Sequence, residues 1–327
     1  MTDKKQNGDA RTDSSTVDDA IDFTYKEKPW KPPTVLRWSK IIAFSLLHLG
    51  ALYGLILIPS ASPSTLAWTA FCYVFSGLGV TAGAHRLWSH RSYKASFPLQ
   101  VFLAFANSMA FQKNIYDWVR DHHLHHKYVG TDADPHNASR GFFFSHIGWL
   151  LVQEHPDCAE KKQQLNLSDL TTDKVVMFQK RHYMVSVLVF WFLVPMLVPW
   201  YLWGESLVVG CFVPGLLRYV ALLNATWLVN SAAHMWGNRP YNKNINPREN
   251  KFVSFSAIGE GFHNYHHTFP CDYAASEFGS RLNLTTAFLN LMCLLGLAKD
   301  PKTVPKETII ARMQRTGDGS NESNSCK

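Results

Sequence analysis

Histidines in this chain are concentrated in three short stretches. These stretches cover residues 85–90, 122–126 and 263–267, and His234 lies alone upstream of the third. Neutral imidazole is the commonest protein ligand for redox-active and Lewis-acidic metal ions. Because the stretches together hold more imidazoles than one ion can bind, the sequence predicts a site for two metal ions.

The spacing within the second and third stretches is helical. His122, His125 and His126 stand at positions i, i+3 and i+4, and residues 263–267 repeat this spacing. On a helix, such a triple projects from one face toward a common point. The repeat puts His123 outside the first triple, either beside the ligands or in solvent. In the first stretch the five-residue gap exceeds one helical turn, which predicts a break or a bulge before its second histidine.

Four long apolar stretches must position these histidines. They cover residues 41–58, 65–84, 183–203 and 207–229. About 20 helical residues cross a hydrocarbon layer of about 30 Å, so each stretch is predicted to span a membrane. The overall composition, with 46% hydrophobic and 17% charged residues, would suit a soluble protein. That average conceals the difference between the polar ends and the apolar stretches.

The connections between the spans predict two hairpins. Residues 59–64 join the first two spans and residues 204–206 join the last two, and neither connection contains Lys or Arg. The positive-inside rule therefore predicts that both termini are cytosolic. An even number of crossings separates the histidine stretches, which puts all of them on one membrane face. They lie beyond the span ends, whereas a metal transporter would have polar ligands midway through its spans.

The predicted fold is all-α, a four-helix transmembrane bundle of two hairpins with a helical cytosolic cap that carries the histidine-rich metal site. Residues 1–38 are expected to form a polar cytosolic tail, residues 39–302 the membrane domain and residues 303–327 a disordered cytosolic tail. Neither tail has enough apolar residues to form a core. Arg218 falls inside the fourth span, where a charge needs a partner that the sequence does not identify.

The histidine motifs follow one another in a specific order. An H-x4-H motif starts at His85, H-x2-H-H occurs within residues 122–126 and 263–267, and Asn230-Ser-Ala-Ala-His234 precedes the last of them. In this order the motifs resemble those of the membrane-bound acyl-CoA desaturases, the stearoyl-CoA desaturase family. The likeness covers most of the chain and looks closest to the insect members.

The resemblance implies a multi-pass enzyme of the endoplasmic reticulum membrane that inserts a cis double bond, Δ9 or Δ11, into a saturated acyl chain. It implies acyl-CoA as substrate, O2 as oxidant, and cytochrome b5 with its reductase as electron donor. It also implies a diiron site of two Fe ions, Fe2+ in the reduced resting form, and no catalytic residues beyond the metal ligands. By position, these ligands would be His85, His90, His122, His125, His126, His234, His263, His266, His267 and, through a water, Asn230.

The resemblance also assigns residues to the substrate path. From the CoA end to the far end of the acyl chain, they would be Gln112, Trp118, Arg120, Asp121, Trp149, Thr226, Trp227, Gly77 and Tyr73. The chain departs from the vertebrate pattern at Lys113, which replaces Asn, and at residues 153–154, where Gln-Glu replaces a basic pair that meets CoA phosphates. Gly77 replaces Ala, which either lets the acyl chain slide deeper or permits closer helix packing.

Three carboxylates lie beside the ligand motifs, at Asp132, Asp134 and Glu260. Such groups orient metal-bound imidazoles by accepting the second ring N–H, although helix capping explains Asp134 almost as well. Isolated histidines usually satisfy local hydrogen bonds. The following histidines are therefore expected not to bind metal: His48, His136, His146, His155 and His182.

Two other kinds of protein fit the same residues. A related diiron hydroxylase or conjugase shares the metal site but leaves oxygen in its product or acts on an existing alkene. A metal-transport or storage membrane protein would use the histidines without changing a lipid. The net charge of +7 suits an acidic protein partner and the membrane surface equally. The sequence has no nucleic-acid motif.

Overall fold

The computed structural model describes residues 21–22, 24–28, 31 and 34–320. Over these residues the chain is mainly helical, with two short antiparallel strands, Lys94–Ala95 and Ala298–Lys299. The all-α prediction is confirmed. The helices outside the spans, together called the cap, are Phe97–Ala110, Ile115–Tyr128, Ala138–Arg140, Phe144–Gly148, Trp149–Leu151, Pro156–Gln163, Ser168–Thr172, Lys174–Arg181, Lys251–Ser256, His263–Thr268, Leu284–Leu294 and Lys306–Thr316.

Four helices confirm the predicted spans. Those long and apolar enough to cross a membrane are Trp38–Ser60, Pro63–Ser89, Tyr183–Trp203 and Leu207–Met235. The second and fourth helices run past the predicted ends, and these extensions carry His85 and His234. Part of the histidine site is therefore held by the same helices that cross the membrane.

The cap-side end of the second span is π-helical over Gly79–Ser89. There the His90 backbone N–H donates to the His85 carbonyl at 3.1 Å, so the hydrogen bond joins residues five apart. The irregularity expected before His90 is thus a π-helical turn and not a break. A π-turn brings residues five apart onto one side, which an α-helix does not do.

The second and fourth spans form the centre of the bundle. Of their most apolar windows 50% and 56% are buried, against 11% and 17% for the first and third spans. The second span also packs closely on the helix Phe97–Ala110. A Cβ on Gly79 would lie 2.1 Å from the Asn107 backbone nitrogen, so this approach requires glycine.

Arg218 is buried in the fourth span and ties three elements together. Its Nε donates to the Pro214 carbonyl at 2.9 Å, and its Nη1 donates to Ser76 Oγ at 3.0 Å and to the Met109 carbonyl at 3.3 Å. Neutral oxygens therefore accept from two of the three guanidinium nitrogens. This supplies the partner for Arg218 that the sequence does not identify.

The chain end beyond residue 302 differs from its prediction. Instead of being disordered, it contains the helix Lys306–Thr316. Ile309 from this helix is buried in a cluster with Tyr241, Phe262 and Tyr265 of the cap, and the Thr316 hydroxyl donates to the Tyr241 carbonyl at 2.7 Å. One buried isoleucine and a few hydrogen bonds hold the helix. So few apolar contacts cannot be recognised in a segment whose composition is mostly polar. Residues 321–327 lie outside the described residues.

Part of the predicted N-terminal tail also packs on the cap. The Tyr25 hydroxyl donates to Asp157 at 2.7 Å, and the Lys28 ammonium donates to the same carboxylate at 2.8 Å. The Asp22 backbone N–H donates to the Lys127 carbonyl at 2.8 Å. This segment therefore contacts the helix that carries the second histidine stretch. Residues 1–20 lie outside the described part of the chain.

Candidate metal centre

Eight histidines form two compact groups. In each group, one ring nitrogen from every member lies within 4.8 Å of the others. Group one is His85, His90, His122 and His266, and group two is His125, His234, His263 and His267. Both groups combine residues from a membrane span with residues from the cap.

Each helical triple is divided between the two groups. His122 belongs to group one and His125 to group two, and His266 is separated from its helix neighbours in the same way. The ninth predicted ligand, His126, lies at the border, with its Nε2 at 3.0 Å from that of His266 and its ring stacked at 4.1 Å on His267. The triples thus do not point to a single centre. Each helix contributes to both groups.

The distances between ring nitrogens fit a shared metal ion. The Nε2 atoms of His85 and His266 are 3.0 Å apart, and those of His234 and His263 are also 3.0 Å apart. If a metal lies about 2.1 Å from each imidazole nitrogen, two nitrogens at a right angle around it are about 3.0 Å apart. The groups therefore have the size of metal sites.

The lowered pKa values of the cap histidines fit metal binding as well. Burial, reinforced by neighbouring imidazoles, lowers the pKa well below the ordinary value in His122, His126, His263, His266 and His267. A neutral imidazole is the form that binds a metal. The buried Nε2 of His125 has no hydrogen-bond partner among the described residues. A metal ion that accepts the lone pair of this nitrogen would remove the cost of an unsatisfied buried group, about 1–3 kcal/mol.

Two carboxylates fix the orientation of the imidazoles, one for each group. Glu260 Oε2 lies 2.8 Å from His85 Nδ1, and Asp134 Oδ1 lies 2.9 Å from His125 Nδ1. An N–H at Nδ1 leaves the Nε2 lone pair free to face the group. Glu260 and Asp134 therefore contact the histidines as expected. Asp132 contacts neither group and pairs with Lys31 instead.

A cavity of about 460 Å³ begins at the histidine groups and extends between the first, second and fourth spans. His85 and His263 contribute to its head, and Asn230 also lines it. The Gln112 side-chain amide donates to Thr226 Oγ1 at 3.0 Å at the wall. Most predicted substrate contacts line this cavity, namely Gly77, Gln112, Trp118, Asp121, Trp149, Thr226 and Trp227.

The sequence model of the fatty acid desaturase family matches residues 61–276 of the chain. The chain belongs to the fatty acid desaturase family. It is 70% identical over 307 residues to "Acyl-CoA desaturase" of Cyprinus carpio, covering 93% of this chain and 94% of the relative. It is 61% identical over 283 residues to "Stearoyl-CoA desaturase 5" of Homo sapiens, covering 86% of each chain. These relatives are vertebrate proteins and do not support the expected insect type.

Two predicted substrate contacts of this desaturase do not line the cavity. The Tyr73 hydroxyl donates to the Ser256 carbonyl at 2.7 Å, beside the far end of the cavity. Arg120 lies at the other end, with Nη1 at 3.0 Å from Asp117 and Nε at 3.5 Å from Asp121. The Tyr73 hydroxyl is therefore bonded within the protein, and Arg120 is paired with carboxylates.

A cluster of charges lies where Lys113 and Asp121 line the cavity of the desaturase, a region called the mouth. The sequence analysis identified this cluster only in part. Lys113 pairs with Asp121 and lies 4.9 Å over the Trp149 ring. Lys162 lies 2.9 Å from the same carboxylate. Although burial raises the pKa of Asp121, the two ammonium groups bring it well below its usual range. Sequence reasoning missed Lys162 because it comes from a separate helix and has no local motif.

The remaining histidines of the desaturase have other contacts. His123 Nε2 lies 3.0 Å from the Ser89 carbonyl, which fixes the segment before His90. His146 and His48 both contact the Asn224 side chain, at 3.1 and 3.3 Å. That His136 does not bind metal stays a prediction, but this residue is not isolated from the groups. Its ring centroid is 5.5 Å from that of His125, and it also lines the cavity.

Proposed function

We propose that this chain is a fatty acyl-CoA desaturase that inserts a cis double bond into a saturated acyl chain. The observation that carries the proposal is the convergence of eight imidazoles in two metal-sized groups, with His126 at their border, at the head of an apolar cavity. An acyl chain in this cavity would have its methylenes beside the groups. The names of the vertebrate relatives support acyl-CoA as the substrate.

The proposed cofactor is a pair of iron ions, Fe2+ in the resting form. Group one would hold one ion and group two the other, with His126 at the border and Asn230 reaching its ion through a water. When bound, the irons supply O2-dependent redox chemistry that removes hydrogen from an unactivated methylene, which no side chain in the cavity can do. An all-imidazole donor set is compatible with iron but also with zinc, copper and nickel.

The side chains of the protein have orienting roles in this proposal. Trp118 lines the cavity and stacks on His122 with 4.8 Å between ring centroids, so it supports the imidazole from the substrate side. Gln112 and Thr226 join two parts of the wall near the groups. Glu260 and Asp134 hold the protons on the Nδ1 atoms of their histidines. The apolar wall excludes water from the acyl chain.

The charged mouth would bind the CoA part of the substrate. Lys113, Lys162 and Arg120 offer cations for phosphate groups. Lys113 has a φ of 84°, a backbone region that Gly and Asn adopt more readily. A lysine in such a position points to a use for its ammonium group. It would offset the missing basic pair at residues 153–154.

The proposed enzyme is a multi-pass protein of the endoplasmic reticulum with both termini in the cytosol. Electrons would reach the irons from cytochrome b5 and its reductase, docked on the cap side. The net charge of +7 is consistent with an acidic electron donor.

The test is expression in a yeast strain that lacks its own desaturase and is fed saturated fatty acids. We expect growth without unsaturated supplements, and mass spectrometry of the lipids should show one new cis double bond and its position. A hydroxylated or conjugated product would favour the related diiron enzymes. Cellular ion uptake without any change in lipid would contradict the proposal and favour a metal transporter.

A further inference from the structure

The segment of residues 251–258 has an unusual surface for part of the cap. It consists of the helix Lys251–Ser256 followed by Ala257 and Ile258, and it lies in the connection between the fourth span and the last histidine stretch. Phe252 and Phe255 are 67% and 76% exposed. Two large aromatic side chains this exposed on a short helix mark a surface that contacts something apolar.

The far end of this segment lies deep along the second span. Its Ser256 carbonyl accepts a hydrogen bond of 2.7 Å from the Tyr73 hydroxyl, and Tyr73 is near the middle of the span Pro63–Ser89. Twelve residues separate Tyr73 from His85, a helical rise of about 18 Å. Ile258 Cδ1 lies 2.8 Å from where a Cβ on Gly77 would be, two turns from His85. The segment therefore reaches well below the level of the histidine groups.

Several backbone groups at the end of the segment are paired within the protein. The N–H groups of Ala257 and Gly259 donate to the carbonyls of Val253 and Ser254 at 2.8 and 2.7 Å. The Ile258 carbonyl, where the helix has ended, accepts from the backbone and hydroxyl of Thr285 at 3.1 and 2.9 Å. Within a bilayer, backbone groups must be paired inside the protein, and non-helical backbone must be buried in it.

Apolar surface continues beside the two phenylalanines. Leu282 is 56% exposed, and its carbonyl accepts from Ser254 Oγ at 3.1 Å. An exposed leucine therefore lies on a second chain segment that is hydrogen-bonded to the helix of the two phenylalanines. On the other side of the segment, Ala257 and Ile258 line the cavity.

We propose that residues 251–258 form a re-entrant segment that enters the cap-side leaflet of the bilayer. Phe252 and Phe255 contact lipid acyl chains, while Ala257 and Ile258 close the far part of the cavity. The exposure, the depth and the paired backbone all favour lipid over a protein partner as the occupant. This wall of the cavity is then one element thick, with substrate on one side and lipid on the other.

The test uses the full chain in phosphatidylcholine vesicles whose acyl chains carry an alkyne tag. Phe255 is replaced by the photo-cross-linking residue p-benzoylphenylalanine, and tagged lipid adducts are measured after illumination. Two matched sites serve as controls, Ile56 in the first span, 71% exposed, and Ile310 on the helix Lys306–Thr316, 53% exposed. We expect Phe255 to give as much lipid adduct as Ile56, and Ile310 to give none.

Adducts at Phe255 as scarce as those at Ile310 would overturn the proposal, and so would adducts to a second copy of the chain. A second measurement avoids the unnatural residue. In vesicles, Phe255→Arg should lower the melting temperature, because a charge in hydrocarbon is costly, whereas Ile310→Arg should leave it unchanged. Equal melting of the two variants would also refute the re-entrant segment.

Discussion

The histidine groups and the cavity beside them are held by different interactions. Around the groups, polar and charged side chains make directional contacts, as in the pair formed by His85 with Glu260 at 2.8 Å. Along the cavity, the walls are mainly side chains such as Leu222 and Ile258, which pack without directional bonds. The metal site therefore depends on particular atoms, whereas the cavity depends on volume. Substitutions at the metal site should affect the reaction, and substitutions in the cavity should affect the choice of substrate.

The two carboxylates of the metal site also differ from each other. Glu260 Oε1 accepts from Arg86 Nη2 at 2.9 Å, and the buried guanidinium donates further to the Tyr273 carbonyl at 2.9 Å. Although burial raises the pKa of Glu260, His85 and Arg86 lower it to about 2. Asp134 is held by a neutral donor, the Gly130 backbone N–H at 2.9 Å. Group one therefore depends on a buried ion pair and group two does not.

The largest effect is expected from His266→Ala. The Nε2 of His266 is 3.0 Å from those of both His85 and His126, so its loss opens group one. Unsaturated product should disappear, and metal analysis of the purified protein should show one bound ion fewer. The control is His182→Ala, which removes an exposed imidazole outside both groups. Unsaturated product at the wild-type level from His266→Ala would contradict the proposed site.

Glu260→Gln should be the next most damaging change. It leaves the Arg86 charge buried without its partner, which costs about 3–5 kcal/mol in the free energy of unfolding. It also loosens His85. Thermal melting and metal content should both fall. The double variant with Arg86→Met should regain part of the melting temperature but not the metal. A single variant that melts like the wild type would show that the ion pair is not needed.

Asp134→Asn should act on group two alone. The amide oxygen can still accept from the Gly130 N–H, so we expect little change in stability. Metal affinity should fall about 10–100-fold, as for other groups that orient a ligand histidine. Asp132→Asn is a matched control, because this neighbouring carboxylate pairs with Lys31 instead. If metal titration showed the same loss of affinity for both substitutions, Asp134 would not orient a metal ligand.

The smallest effect on total activity is expected from Gly77→Leu in the cavity. A side chain here would meet the flexible side chains of Ile258 and Leu222, at 2.8 and 3.6 Å from its Cβ. This contact favours an effect on cavity length over close helix packing, which Gly79 provides against backbone. We expect a shift to shorter acyl substrates, measured by gas chromatography of the products. An unchanged chain-length profile would show that Gly77 does not limit the cavity.

The sequence by itself determined the spans and the set of histidines. Apolar length decides whether a helix can cross a membrane, and the stretch 183–203 was predicted with the bounds that the helix has. The triples within residues 122–126 and 263–267 were identifiable because their spacing repeats and imidazole suits metals, whereas His85, His90 and His234 were assigned as ligands from the resemblance to the family. Local patterns of this kind do not depend on which distant segment they will meet.

Only the tertiary structure decided how these histidines are divided. Spacing puts His122 and His125 on one helix face, but their assignment to different groups depends on partners at least 32 residues away along the chain. That Asp134 and not Asp132 contacts His125 likewise follows from the path of the chain after the helix Ile115–Tyr128. Neighbouring positions look equivalent in a sequence, and packing makes them different because directional contacts need a particular orientation in space.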